Sequence, residues 1–398
     1  DQTLWRLGIP AKTRHNEVAP AQFEIAAVFE ELNLASDHNM LTMDVLRQTA
    51  DRHGFVCLMH EKPFDGVNGS GKHNNWSFGT TKMNFLSPGR SPEGGALFLT
   101  AICAVIQAVD RHGELLRMAT ASSGNSYRLG ANEAPPSVIS IYLGDELTRL
   151  IDELESGTPG EVRKGKAMQL FVDTLPPLPQ DATDRNRTSP FAYTGNKFEF
   201  RAPGSSQSCS GPNTILNTIV AEAFDRMSDV LENLKKDEFN SGLQKHLQKV
   251  IRANKRIIFN GDGYSDAWVA EAARRGLPNL ASLVDAVPAL TTEKAVRLFT
   301  KFGIYTQSEL EARAEIMYET YIKVTKIEAN TMIHMASKHY IPTVISYTTR
   351  LAQSITSVSA ACPEADLSVQ RKLLTQISDY LSQASCALEQ LKPLMERV

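Results

Sequence analysis

The sequence predicts an α+β protein, with short strands of alternating polarity in its larger first part and only amphipathic helix after about residue 285. Three observations carry this. Polar and apolar residues alternate in KHNNWSFGT and NKFEFRAP. Apolar residues recur at helical spacing across 94–118. A seven-residue spacing of Leu and Ile runs through 364–397. The expected domains are 1–285, with an insertion around 136–185, and an all-helical 286–398.

The elements follow in order. HNEVAPAQFEIAAVFEELNL (15–34) reads as a strand interrupted near Pro20. A helix follows with Ser36 as N-cap, Leu41, Val45 and Leu46 on one face, and Gly54 as its stop. GFVCLMHE (54–61) reads as a strand, PFDGVNGSG as a loop and KHNNWSFGT as another strand. Leu97, Ala101, Ala104, Ile106 and Val109 mark the next helix. Residues 156–190, rich in Pro, Gly, Asp and Arg, read as an excursion from the core. NKFEFRAP (196–203) is a strand, and Gly211-Pro212-Asn213 opens a long helix. Near the end, Leu367, Leu374, Ile377, Leu381, Ala384, Leu388 and Leu391 form a seam read as intrachain packing rather than a free coiled coil.

Charge excludes some functions. There are 42 basic and 45 acidic residues, a net of −3, so no basic excess points to nucleic acid. No run of about 18 apolar residues suggests a membrane span. Cys57, Cys103, Cys209, Cys362 and Cys386 form no C-x-x-C pair and read as reduced thiols in a cytoplasmic protein.

Seven of the eight residues of GVNGSGKH (66–73) fit the P-loop pattern, but His73 stands where Ser or Thr would hold magnesium. A P-loop also needs a helix directly behind it, and HNNWSFGT is a poor helix. As a strand it puts His73, Asn75 and Ser77 on one face, with Trp76 and Phe78 on the other. NKFEFRAP likewise puts Lys197, Glu199 and Arg201 on one face and Phe198 and Phe200 on the other. Taken alone, that strand reads as a surface salt-bridge ladder. Glu17 and Glu24 are seven apart and would face opposite ways in a regular strand. They converge only if the strand is bulged or bent at Pro20; otherwise they are solvated surface acids. Gathered together, these carboxylates, the histidine and the asparagines suit Mg²⁺ or Mn²⁺, and Arg128, Arg187 and Arg201 suit phosphate or carboxylate. His60 and His112 read as ordinary surface or packing residues. His334 and His339, five apart in a helix, do not share a face.

These segments resemble glutamine synthetase. NEVAPAQFE looks like that family's metal-binding glutamate strand, and NGSGKHNNWS like its signature NG-[SA]-G-x-H-x-[HN]-x-S. NSYRLGANEAP, DRNRTSPF and KFEFRAPGSS resemble further motifs in the same order. HNEVAPAQ, KHNNWS, the GDELTRL insertion and the helical C-terminal part resemble the type III branch.

The resemblance implies a curved antiparallel sheet, part of a barrel, decorated by helices, in a homo-oligomeric ring with active sites between subunits. It implies ATP-dependent ligation of ammonia to glutamate through γ-glutamyl phosphate at a two-metal site. It assigns Glu17 and Glu24 to one metal, and His73 and Glu199 to the other. Asn68, Gly69, His73, Arg128 and Arg201 fall to glutamate. Asn75 and Ser77 fall to nucleotide, Arg187 to its γ-phosphate, and Glu133 to the flap that handles ammonium.

The chain opens at DQTLW without Met, as though cut from a longer one. The family's Glu-x-Glu strand and β-grasp domain would precede it, so this chain alone is expected to be inactive. Ala192 stands where many members carry another arginine, which shifts phosphate contacts toward Lys72 or Lys197. The interval from Arg128 to Glu133 is one residue shorter than in the bacterial type I pattern. A non-catalytic synthetase-like subunit and a P-loop-like ATPase are the alternatives.

Overall fold

The structure is a computed structural model that describes residues 1–88, 91–131, 134–157 and 189–397. Glu133, Arg187 and nearly all of the expected 156–190 excursion lie outside the described residues. The chain divides into two compact units, Asp1–Met317 and Tyr318–Val398.

In the first unit, helix α1 (Gln2–Arg6) precedes strands β1 (Ala11–Asn16) and β2 (Phe23–Ala27), which pair antiparallel as a two-stranded sheet. Leu4, Ile9, Ala11 and Val45 form a small core that seats this hairpin on α2 (Leu32–Arg52), with Ile25 packed against it. Helix α2 starts earlier than expected. The Glu31 side chain caps it by accepting from the N–H groups of Asn33 and Leu34, whereas Ser36 lies inside and its hydroxyl donates to the Leu32 carbonyl. Gly54, at φ +73°, follows its end as expected. Residues 54–61 form no strand; Phe55, Val56 and Leu58 are exposed.

Strand β3 (Asn74–Trp76) comes next, then helices α3 (Pro92–Ala119) and α4 (Ser123–Arg128), strand β4 (Ile141–Tyr142) and helix α5 (Asp145–Ser156). Strands β5 (Phe191–Tyr193) and β6 (Phe198–Phe200) complete a second sheet of order β3-β6-β5-β4, in which only β4 and β5 are parallel. Among the described residues the strands thus form two small sheets.

Helix α3 is long and apolar enough to cross a membrane by length and composition, contrary to the expectation that no such run exists. Its residues from Phe98 to Val109 are instead the buried centre of the first unit, packed on α6 (Ser210–Leu231). Phe191 and Phe198 stack in the same core with ring centroids 4.6 Å apart. His112 lies within α3, at a break where φ is −131°. It is buried, and its Nε2 lies 2.7 Å from Glu222 on α6. Of the two expected readings, surface or packing, it is a packing residue, pinned by that polar contact. Helices α7 (Phe239–Asn254), α8 (Asp266–Arg274), α9 (Leu283–Ala286) and α10 (Glu293–Lys301) follow, and α11 (Gln307–Met335) begins in this unit.

The second unit holds the rest of α11, then α12 (Ile341–Ala361) and α13 (Ser368–Glu396), which pack on each other. Of the expected seam, Leu367 and Leu388 are buried and Ala384 is exposed. A π-helix, Ala336–Tyr340, joins α11 to α12. Pro342 lacks an N–H, and its ring would strike the carbonyl of the residue four before it in a regular helix; the wider π turn relieves this. That turn carries His334 and His339 to the same side, ring centroids 5.6 Å apart, where an unbroken α-helix separates them.

Candidate functional site

Two groups of residues meet here. The first sits on the β1–β2 hairpin. A turn closed by the Gln22 N–H donating to the Ala19 carbonyl at 3.1 Å joins the strands, with Pro20 in its second position and Ala21 at φ +55° in its third. Proline presets the second position of such a turn, and the third requires positive φ. The segment is therefore a hairpin rather than one bent strand. Folding back places His15 opposite Glu24, and the Glu17 N–H donates to the Gln22 carbonyl at 3.0 Å. His15 Nε2 then lies 2.7 Å from Glu17 Oε1 and 3.2 Å from Glu24 Oε2.

Donor atoms of His15, Glu17 and Glu24 all lie within 4.8 Å of one another. Ligands about 2.1–2.5 Å from one divalent cation have that spread, and one imidazole with two carboxylates suits Mn²⁺ or Mg²⁺. Hydrogen bonding to Glu24 holds the Glu17 carboxyl below the ordinary carboxylate range; burial opposes this, and His15 and His73 support it. Burial, with Glu17 beside it, pushes Glu24 up. Two such carboxylates repel unless a proton or a cation lies between them.

The second group lies on and immediately beside β3 and β6. His73 Nδ1 lies 3.1 Å from Glu199 Oε1, and Arg201 Nε donates to Glu199 Oε2 at 3.3 Å. Asn75 is directly opposite Glu199 in the ladder. His73, Asn75 and Ser77 are exposed, and Trp76 is buried, as the alternation requires. Trp76 Nε1 donates to Asn217 and Asn74 donates to Asn213, which anchors β3 to α6. Glu199 is part-buried between the buried Phe198 and Phe200, but Arg201 is only 1% exposed, so β6 carries no surface ladder. His73 also bears electrostatically on Glu17 and Glu24, so the two groups adjoin. Gln22 Nε2 donates to the Gly69 carbonyl at 3.1 Å and ties the hairpin turn to the glycine loop.

That loop is no phosphate cradle, because strand rather than helix follows it. Its glycines serve Arg128. A Cβ on Gly71 would lie 2.0 Å from Arg128 Nη2, and one on Gly69 would lie 3.0 Å from Arg128 Cγ. Arg128 ends α4 and is 4% exposed. It donates to Asn125 Oδ1 at 2.9 Å, the Ala202 carbonyl at 3.3 Å and the Arg201 carbonyl at 2.9 Å. Burial lowers its pKa to about 10, and Glu61 and Tyr264 offset part of that. Asn68 is half-buried beside Gly69. Lys72 turns inward, its Nζ donating to the carbonyls of Ser205 and Gln207. Ala192 is buried opposite Glu199 in the ladder.

Sequence reasoning left His15 and Glu61 without roles. A signal for His15 was present: in H-x-E on a strand, both side chains point the same way.

Residues 1–141 match the family model described as the glutamine synthetase catalytic domain, and residues 242–359 match the glutamine synthetase C-terminal domain. A type-3 glutamine synthetase of Dictyostelium discoideum is 48% identical over 357 residues, 89% of this chain and 49% of that protein. Glutamine synthetases of Butyrivibrio fibrisolvens and Bacteroides fragilis are 45% and 40% identical over 89% and 95% of this chain, and 51% and 53% of theirs. The chain thus spans about half the length of these curated relatives. With two of its segments matched by models of one family, and close relatives along nearly all its length, the chain belongs to the glutamine synthetase family.

Proposed function

We propose that this chain forms the catalytic segment of an ATP-dependent glutamate–ammonia ligase that makes glutamine through γ-glutamyl phosphate. One observation carries the reading: His15, Glu17 and Glu24 on one hairpin adjoin the His73–Glu199 pair of a separate sheet. His15, Glu17 and Glu24 would hold one Mg²⁺ or Mn²⁺ and His73 and Glu199 a second; such cations, when bound, neutralise charge on a transferring phosphoryl group.

The chain's own residues do the positioning. Asn68, Gly69, His73, Arg128 and Arg201 surround the glutamate. Because Arg128 is held by main-chain carbonyls, it shapes this wall as a fixed positive charge. Asn75 on β3 and Ser77 just after it, both exposed, face the nucleotide, and Arg187 serves its γ-phosphate. A γ-carboxylate oxygen of glutamate attacks the γ-phosphorus of ATP, and ADP leaves. Glu133 takes a proton from ammonium. The resulting ammonia attacks the carbonyl carbon (Cδ) of γ-glutamyl phosphate, the nitrogen gives up a proton, and phosphate leaves carrying that proton and the former carboxylate oxygen. The same reading places the two small sheets in the family's curved partial barrel, the subunits in a homo-oligomeric ring, and the protein in the cytoplasm. The five free cysteines agree with a reducing compartment.

Metal-dependent ADP release by the full-length protein tests this. Release that requires both glutamate and ammonium is expected. ADP release indifferent to glutamate would leave only an ATPase, and no release at all would leave a non-catalytic subunit.

A further inference from the structure

Glu61 is a buried carboxylate, 2% exposed, that the ligase chemistry leaves unused. Its Oε1 accepts from the Ser206 N–H at 3.0 Å and from the Ser206 hydroxyl, and its main-chain carbonyl accepts from the Ser70 N–H at 2.7 Å. Three segments meet on it. A Cβ added to Gly124 would stand 2.4 Å from Oε2, one on Gly204 2.3 Å from Oε1, and one on Gly69 2.6 Å from the Glu61 carbonyl oxygen. Glycines far apart in the sequence thus lack side chains around a single glutamate. The same segments are laced together by the Gly71–Gly204 bridge and by the Lys72 N–H donating to the Pro203 carbonyl at 2.9 Å. Arg128 reaches the same point, its Cγ 3.0 Å from where that Gly69 Cβ would stand, and the Glu61 charge offsets part of the effect of its burial.

These partners have one thing in common. Ser70, Gly124, Gly204 and Ser206 belong to the segments that carry or contact Gly69 and Arg128. Glu17 and Glu24 themselves make none of these contacts, although Gln22 of their hairpin donates to the Gly69 carbonyl at 3.1 Å, and the packing of α3 on α6 lies elsewhere. We propose that Glu61 is a positioning residue, a buried clamp that holds the 66–72 loop, the start of α4 and the 201–207 loop in register, and so fixes Gly69 and Arg128 at the glutamate subsite. The glutamate part of this inference rests on the ligase reading; the clamp itself does not.

The test uses the full-length protein with Glu61→Gln, which keeps the shape and removes the charge, and Ser206→Ala, which removes one hydroxyl and keeps the clamp folded. Hydrogen exchange reads the clamp. In both variants amides of 66–72 and 201–207 exchange faster, by about tenfold, while those of α3 and α6 keep wild-type protection. Kinetics read the consequence. The KM for glutamate rises by about tenfold or more in Glu61→Gln, while the KM for ATP and the affinity for Mn²⁺ stay within about twofold of wild type. Unchanged exchange in the two loops overturns the clamp. Loss of protection in α3 and α6, or an equal rise of both KM values, shows a general structural role and also overturns it. Wild-type protein without glutamate-dependent turnover overturns the ligase reading instead, and the exchange data still decide the clamp.

Discussion

Replacing Glu222 by glutamine tests how the core that carries the site is held. Glu222 on α6 meets His112 at the break in α3, with His112 Nε2 at 2.7 Å and Arg226 Nη2 at 2.9 Å. Burial raises the Glu222 carboxyl, but hydrogen bonds from His112 and Arg226 outweigh it and hold the group at about 2 against an ordinary 4.5. At about 1.4 kcal/mol per pH unit this is worth roughly 3 kcal/mol. Arg226 is half-exposed, and solvent screening brings the figure to about 2 kcal/mol. The sign follows from the lowered value. The stabilisation is complete above the unfolded-state value near 4.5, and it is lost as pH falls from there through about 2. Urea unfolding followed by circular dichroism should show Glu222→Gln less stable than wild type by about 2 kcal/mol at neutral pH. The gap should hold down to about pH 4.5 and narrow below it. A gap under about 0.5 kcal/mol at neutral pH, or one unchanged at about pH 3, refutes the reasoning.

Glu24→Ala should weaken Mn²⁺ binding at least about tenfold by titration calorimetry with the fold intact by circular dichroism; wild-type affinity would remove Glu24 from the metal group. Gly71→Ala should raise the KM for glutamate about tenfold, because its Cβ would displace a guanidinium that now lies 2.0 Å from that point; an unchanged KM means Arg128 can move freely. Tyr193→Phe removes a hydroxyl whose single hydrogen is shared between the carbonyls of Leu86 at 2.9 Å and Gly195 at 2.6 Å. It should cost about 1–2 kcal/mol in urea unfolding, and no loss would show that water replaces it.

Periodicity carried much of the fold. Helix α3, strands β3 and β6 and the helical end of the chain were all legible, because each buries one face and its sequence must repeat with that face. The hairpin is not legible, because Pro20 reads as a bulge in one interrupted strand. Ala21 does not announce a positive φ as glycine would, so nothing in A-P-A-Q demanded a turn. The strand expected at 54–61 failed because apolar letters alone do not supply a pairing partner. For the site, His73, Glu199 and Arg201 could be grouped by alternation along their strands. Glu61 could not be found that way: what makes it conspicuous is the approach of Gly69, Gly124 and Gly204, which are far apart in sequence and adjoin only in space. The proximity of His334 and His339 was likewise hidden, since it depends on a π turn set by Pro342.

Glutamate carrying oxygen-18 in its γ-carboxylate tests the proposed phosphoryl transfer most directly. Given to the full-length protein with ATP, ammonium and Mn²⁺, it should yield inorganic phosphate bearing one labelled oxygen for each glutamine formed, because the carboxylate oxygen that attacks phosphorus leaves with it. Phosphate released without label would mean that water, not glutamate, receives the phosphoryl group, and would contradict the ligase assignment.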